Sequence, residues 1–147
     1  MSQDENTTSG DWPSALVEII EDFTHAFDAS ERYEMLYEMA ESVDELPTSE
    51  WTEQTRVHGC QSEAHVRGEL NSEGTFHLRG GADSRIVQGL IAITATALEG
   101  LSIDEVVSFS PAFVEEMGLA NALSPSRANG FLNMFKKVQS EAALMEE

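Results

Sequence analysis

The chain has 147 residues, 41% of them hydrophobic, with 8 Lys and Arg against 27 Asp and Glu and a formal charge of −19. That length suits one domain, read here as residues 12–147, and the apolar content suffices for a core. No apolar run is long enough for a membrane span, and the cations are scattered (Arg32, Arg56, Arg67, Arg79, Arg85, Arg127, with Lys136-Lys137 the one adjacent pair), which excludes binding to nucleic acid or anionic membrane.

Residues 1–11 read as a disordered acidic tail. They lack the basic and apolar regions of a signal peptide, so a cytoplasmic location is expected. Asp11-Trp12-Pro13 opens a helix in which Leu16, Val17, Ile19, Ile20, Phe23 and Phe27 recur at helical spacing. Asp28-Ala29-Ser30 ends it and caps a second helix with a stripe of Leu36, Met39, Ala40 and Val43, so the pair is expected as an antiparallel hairpin. After Leu46-Pro47 the period changes. Thr55-Arg56-Val57, Ala64–Leu70 and Thr75–Arg79 read as three short strands, with a Gly59-Cys60 corner, an Asn71–Gly74 turn and Gly80-Gly81 closing the meander.

Asp83 or Ser84 caps a helix that is apolar on nearly all sides and ends at Gly100, so it is expected at the centre of the fold. Ser102-Ile103-Asp104-Glu105 fits a capping box, and Pro111 begins a helix ending near Gly118. Ser124-Pro125 starts the last helix, expected to bury Phe131, Leu132, Phe135 and Val138, with Gly130 marking a close neighbour. The fold class is α+β: a small three-stranded antiparallel sheet with helices packed against it.

Twenty Glu and two Lys spread along the chain favour a solvated surface suited to a saline cytoplasm over an acidic docking face. The single cysteine, Cys60, excludes an intramolecular disulfide, a CxxC pair and a multi-cysteine cluster site. Two readings of Cys60 stand: a reachable nucleophile at a strand corner, or a buried structural thiol. His58, Cys60, His65 and His77 could include zinc ligands, but their spacing matches no standard motif. His65 and His77 read as surface residues of the sheet, and His25 as a partly buried packing residue. His58 could assist the thiol or be an inert loop residue. Arg127, at the positive end of a helix, calls for a carboxylate partner or a functional contact.

Three segments together are specific: Val57-His58-Gly59-Cys60-Gln61-Ser62, Asp83-Ser84-Arg85-Ile86-Val87-Gln88-Gly89-Leu90, and Leu123-Ser124-Pro125-Ser126-Arg127-Ala128-Asn129-Gly130. In this order and spacing, over about residues 14–140, the chain resembles the SufE family of sulfur acceptors in iron–sulfur cluster assembly. Glu63-Ala64-His65 stand where the family usually has Val-Trp, and Gln88 where it usually has a basic residue. The resemblance implies a SufE/IscU-like fold and a Cys60 that takes persulfide sulfur from a PLP-dependent cysteine desulfurase of the SufS type. It implies delivery to a SufBCD-type scaffold, stimulation of the desulfurase and a carrier without a resident cofactor or metal, rather than an enzyme. His58, Gly59, Gln61 and Ser62 would support the thiol, and Asp83, Ser84 and Arg127 belong to family motifs. The alternative is a small metal-binding or regulatory module using His58, Cys60 and His65. A stored persulfide needs protection, so Cys60 is expected to be partly shielded, in a loop that moves on docking.

Overall fold

The computed structural model describes residues 12–145. The expected acidic tail 1–11, Asp11 at the first helix start, and Glu146 and Glu147 lie outside the described residues. The elements are α1 (Ser14–Thr24), α2 (Ala29–Ala40), β1 (Ala64–Leu70), β2 (Phe76–Ala82), α3 (Arg85–Leu98), α4 (Ile103–Val107), α5 (Phe113–Glu116), α6 (Leu119–Ala122) and α7 (Pro125–Leu144), with a 3-10 turn at Thr48–Glu50. Among them no helix is long and apolar enough to cross a membrane.

Helix α3 is the centre, as its all-round apolar sequence predicts. Ile86, Val87, Leu90, Ile91, Ile93, Ala97 and Leu98 are all buried, and α2, β2 and α1 pack on it. The approach of α2 is set by Gly89: a Cβ there would collide with the Leu36 backbone carbonyl, so only glycine admits the crossing. On another side α7 contributes Phe131, Met134, Phe135 and Val138. The rings of Trp12, Phe109, Phe113, Phe131 and Phe135 form a tilted and edge-to-face cluster with centroids 5.5–6.3 Å apart. Gln139 joins α7 to the end of α4, its Nε2 donating to the carbonyls of Val106, Val107 and Phe109 at 2.8–3.1 Å. The Val106 carbonyl also accepts the Phe109 N–H at 3.2 Å, so Gln139 reinforces a helix end that the backbone has already begun to close.

Local capping follows the sequence. The side chains of Asp28, Ser84, Ser102 and Ser124 each accept a backbone N–H at the start of α2, α3, α4 and α7, and Ser102 with Glu105 forms the predicted capping box.

Several expectations are corrected. The sheet has two antiparallel strands, not three. Thr55-Arg56-Val57 adds only the bridge between Arg56 and His65, flanked by Val57 N–H to the Ala64 carbonyl (2.8 Å) and Val66 N–H to the Thr55 carbonyl (2.9 Å). A turn closed by Thr52 and Thr55 on one side, and Gly59 at φ +81° on the other, leave that segment too short for a ladder. Gly80 and Gly81 do not end the meander but lie inside β2, paired with Val66 and His65.

Helix α1 stops at Thr24, and Phe27 is 90% exposed. Its backbone N–H is drawn to the Glu31 carboxylate at the cap of α2, which turns the ring to water. His25 is likewise exposed, its Nδ1 2.7 Å from the Glu21 carbonyl. The first two helices make few close backbone approaches, with Ile19 and Phe23 facing Met35 and Met39 across a groove, while α2 lies mainly on α3. The helix expected from Pro111 to Gly118 is the shorter α5, followed by α6. Leu132 points outward, because Met134 rather than Leu132 completes the buried stripe of α7.

His77, on β2, sits between two acidic groups: Nε2 lies 2.6 Å from Asp44 and Nδ1 2.8 Å from Glu99. It is half-buried in this bridge rather than a plain surface residue. Arg79 shares the same Asp44 oxygen at 3.6 Å. Hydrogen bonds that protonated His77 donates to Asp44 first, then to Glu99, raise its pKa above its ordinary 6.5, outweighing burial. A raised folded value gives stability that is complete below the unfolded value and is lost as pH rises through the folded one.

Two outcomes follow from these contacts. Urea unfolding of His77→Gln should show a larger deficit relative to the parent protein at about pH 6 than at about pH 9. Gly89→Ala should lose about 2 kcal/mol or more in the same assay, as overpacking against a backbone group does.

Candidate functional site

The site is built on the segment between the Arg56 bridge and β1. Val57 is buried and anchors the loop entrance. Gly59, at φ +81°, turns the chain, and its carbonyl accepts a hydrogen bond from Asn133 Nδ2 at 3.0 Å. The positive φ favours glycine, and a side chain at 59 would in addition displace the Asn133 amide. Cys60 follows, half-buried and packed against the main core. Its Sγ comes to 3.2 Å from where a Cβ on Gly130 would stand. The neighbour that Gly130 was expected to accommodate is therefore the thiol itself. Gln61 is exposed, but its Oε1 accepts from Ser126 Oγ at 3.0 Å. Ser62 is half-buried.

The loop exit is tied by Asp83: its Oδ1 accepts the Glu63 N–H at 3.2 Å, while its own N–H donates to the Glu63 carbonyl at 3.0 Å. Ser84, next in sequence, is the N-cap of α3, so one short segment fixes both the loop exit and the central helix. Behind the exit lies His65, which is buried at 2% exposure and not on the sheet surface. Its ring stacks on Trp51 at 4.5 Å, Nδ1 lies 2.7 Å from Thr55 Oγ1, and Nε2 lies 3.0 Å from Glu63.

These positions separate the candidate residues. Gly59, Cys60, Gln61, Ser62 and Asp83 form one loop and its tie. His58 points away: its exposed Nε2 pairs with Glu53 at 2.8 Å, and no hydrogen bond links it to Sγ among the described residues. His65 supports the loop exit, both ring nitrogens being engaged with Thr55 and Glu63. His58, Cys60 and His65 do not converge, and among the described residues no group of three or more His, Cys, Asp and Glu is placed to hold a metal ion. Arg127 is half-buried at the start of α7 and has no ion pair among the described residues, so of the two readings the carboxylate partner is not found there.

Asn133 and Ser126 were not anticipated. With Gly130 they occupy positions i, i+4 and i+7 of α7, a single helical face turned to the loop. That spacing is visible in the sequence, but what the face meets lies more than sixty residues away.

Comparison with known proteins agrees with this layout. A family model described as SufE, an Fe-S metabolism associated domain, matches residues 17–142. The chain belongs to the SufE family. It is 35% identical over 130 residues to an uncharacterized SufE-like protein of Synechocystis sp., covering 88% of this chain and 81% of that one. It is 32% identical over 134 residues to the chloroplastic/mitochondrial SufE-like protein 1 of Arabidopsis thaliana, covering 91% of this chain but 36% of that longer protein. The solution structure of a hypothetical protein from Thermus thermophilus shares the fold, with a TM-score of 0.75 at 24% identity, covering 90% of this chain and 96% of that one. Membership in the SufE family associates the chain with Fe–S metabolism.

The geometry at His58 gives a direct expectation. Because its imidazole is engaged with Glu53, the variant His58→Ala should alkylate at Cys60 with iodoacetamide within about twofold of the parent rate.

Proposed function

We propose that this SufE-family protein is a sulfur acceptor whose Cys60 takes a sulfane sulfur from the persulfide of a PLP-dependent cysteine desulfurase of the SufS type. It then passes that sulfur to a SufBCD-type scaffold. The observation that carries the reading is the placement of the chain's one thiol, at a glycine turn and half-buried within a SufE domain. Partial burial fits a group that must hold a labile sulfur away from solvent thiols yet be reachable by a docked partner.

The step balances as thiol exchange. The Cys60 thiolate attacks the terminal sulfur of the donor's Cys–S–SH. The new Cys60–S bond forms, the donor's S–S bond breaks, and the donor cysteine leaves as a thiolate. The proton stays on the transferred sulfur, giving Cys60–S–SH with no external oxidant or reductant. On this reading the protein is a carrier and activator rather than an enzyme, needs no resident cofactor, and works in the cytoplasm, where thiols stay reduced. Asp83 supports the reaction indirectly, by fixing the loop exit. The family-motif Arg127, without an ion pair among the described residues, is a candidate contact for the partner.

Intact-mass measurement under non-reducing conditions tests the proposal. Incubated with desulfurase, cysteine and PLP, the protein should gain one sulfur, roughly 32 Da, and Cys60→Ser should gain nothing. Equal gain by Cys60→Ser, or none by the parent protein beside a persulfidated desulfurase, would refute it.

A further inference from the structure

Helices α1 and α2 both lie on α3 but leave a gap between themselves. The gap is an open groove of about 180 Å³. Its walls are two rows of apolar side chains at helical spacing, Ile19 and Phe23 on α1 and Met35 and Met39 on α2. Phe23 is buried against the core, whereas Ile19, Met35 and Met39 stay partly open to water. Small-molecule pockets commonly measure about 300–1,000 Å³, so this space suits a few side chains from outside rather than an enclosed ligand.

Beside each apolar row runs an acidic one. Glu18 and Asp22 stand at i and i+4 on α1, Glu34 and Glu38 at i and i+4 on α2, and all four are exposed. Asp22 and Glu38 line the groove itself. None of the four has an ion pair among the described residues. Like charges at this spacing weaken a helix, so both helices hold an arrangement that the fold itself does not need. Arg32, the one Lys or Arg on either helix, donates instead to the carbonyls of Phe23 and Met117.

We infer that this groove is a docking site for a protein partner, and that it takes an amphipathic helix whose apolar edge is flanked by Lys or Arg. Side-chain rows on two helices form walls between which the ridge of a third can settle. Methionine suits such a wall, because its unbranched, polarizable side chain repacks around different contours. Charge sets the sign of the partner. The unpaired carboxylates on both rims attract cationic flanks and repel a second copy of this chain, whose formal charge is −19. No lining residue of the groove belongs to the thiol loop or to α7. A partner held here uses none of the contacts around Cys60, so the inference stands whether or not sulfur transfer does.

Fluorescence anisotropy of the full chain, with a labelled synthetic peptide of Leu and Lys patterned as one apolar helical face, tests the site. A peptide of the same composition with the pattern scrambled should bind at least about tenfold more weakly. Asp22→Lys and Glu73→Lys change the net charge equally, but only Asp22 lines the groove. Asp22→Lys should weaken binding about tenfold, and Glu73→Lys by less than about twofold. Met39→Gln should weaken it about tenfold, while Met39→Leu should stay within about threefold of the parent.

Equal losses for Asp22→Lys and Glu73→Lys, or equal binding of the scrambled peptide, would mean that the acidity only solvates the surface, and either result overturns the site. Absence of binding at low salt overturns it as well. Sedimentation of the chain alone completes the test: a dimer abolished by Met39→Gln would give the groove to a second copy and overturn the partner. Urea unfolding run on each variant establishes that it is folded. If Met39→Gln is not, Asp22→Lys and the scrambled peptide decide. No desulfurase enters the assay, so its failure and a failure of persulfide transfer are separate results.

Discussion

Helix α3 carries apolar side chains around nearly its whole circumference, so water has to be excluded from every side of it. Each fully buried Leu, Ile or Val contributes about 1.5–3 kcal/mol, and α3 alone supplies six such residues to the core. Enclosure needs α2 on one side, β2 and α1 on others, and α7 to close the remainder. The closest of these approaches depends on the absence of a Cβ at Gly89, where the backbone of α2 occupies the space.

The position of the thiol is a by-product of that enclosure. Asp83 and Ser84 stand at the junction of β2 and α3, one tying the loop exit and the other capping the helix. On the far side, α7 must bury Phe131, Met134, Phe135 and Val138 against the core, and this fixes the orientation of its remaining faces. The face bearing Ser126, Gly130 and Asn133 is thereby presented to the loop. Packing at the core thus becomes placement at the surface without a dedicated scaffold for the thiol.

Local chemistry was legible in the sequence wherever the deciding contact is short-range. Asp28, Ser102 and Ser124 announce helix starts because the N–H they satisfy is three residues away, and Ala64–Leu70 is predicted at the strand's own limits. Readings failed where a distant partner decides. His65 looks like an exposed strand residue until Trp51 folds over it. Phe27 follows the apolar period of α1 but is taken over by the cap of the next helix. The third strand was over-read because alternation says nothing about how many residues two flanking turns leave free to pair. At the site, the Gly-Cys-Gln-Ser loop and the anomaly of Gly130 were visible separately. That one answers the other required the tertiary fold.

The partners of the loop also impose an order in time. Ser126 and Asn133 follow Gln61 and Gly59 by 65 and 74 residues. A growing chain therefore displays its cysteine long before the helix that covers it exists, and a partly unfolded chain displays it again whenever α7 detaches. Over-oxidation, which a thiol does not survive beyond the sulfenic stage without specialised repair, falls faster on those species than on the native one, where Cys60 is half-buried. The docking of the last helix is thus a chemical safeguard as well as a folding step, and the native lifetime of α7 on the core bounds the lifetime of the reduced thiol.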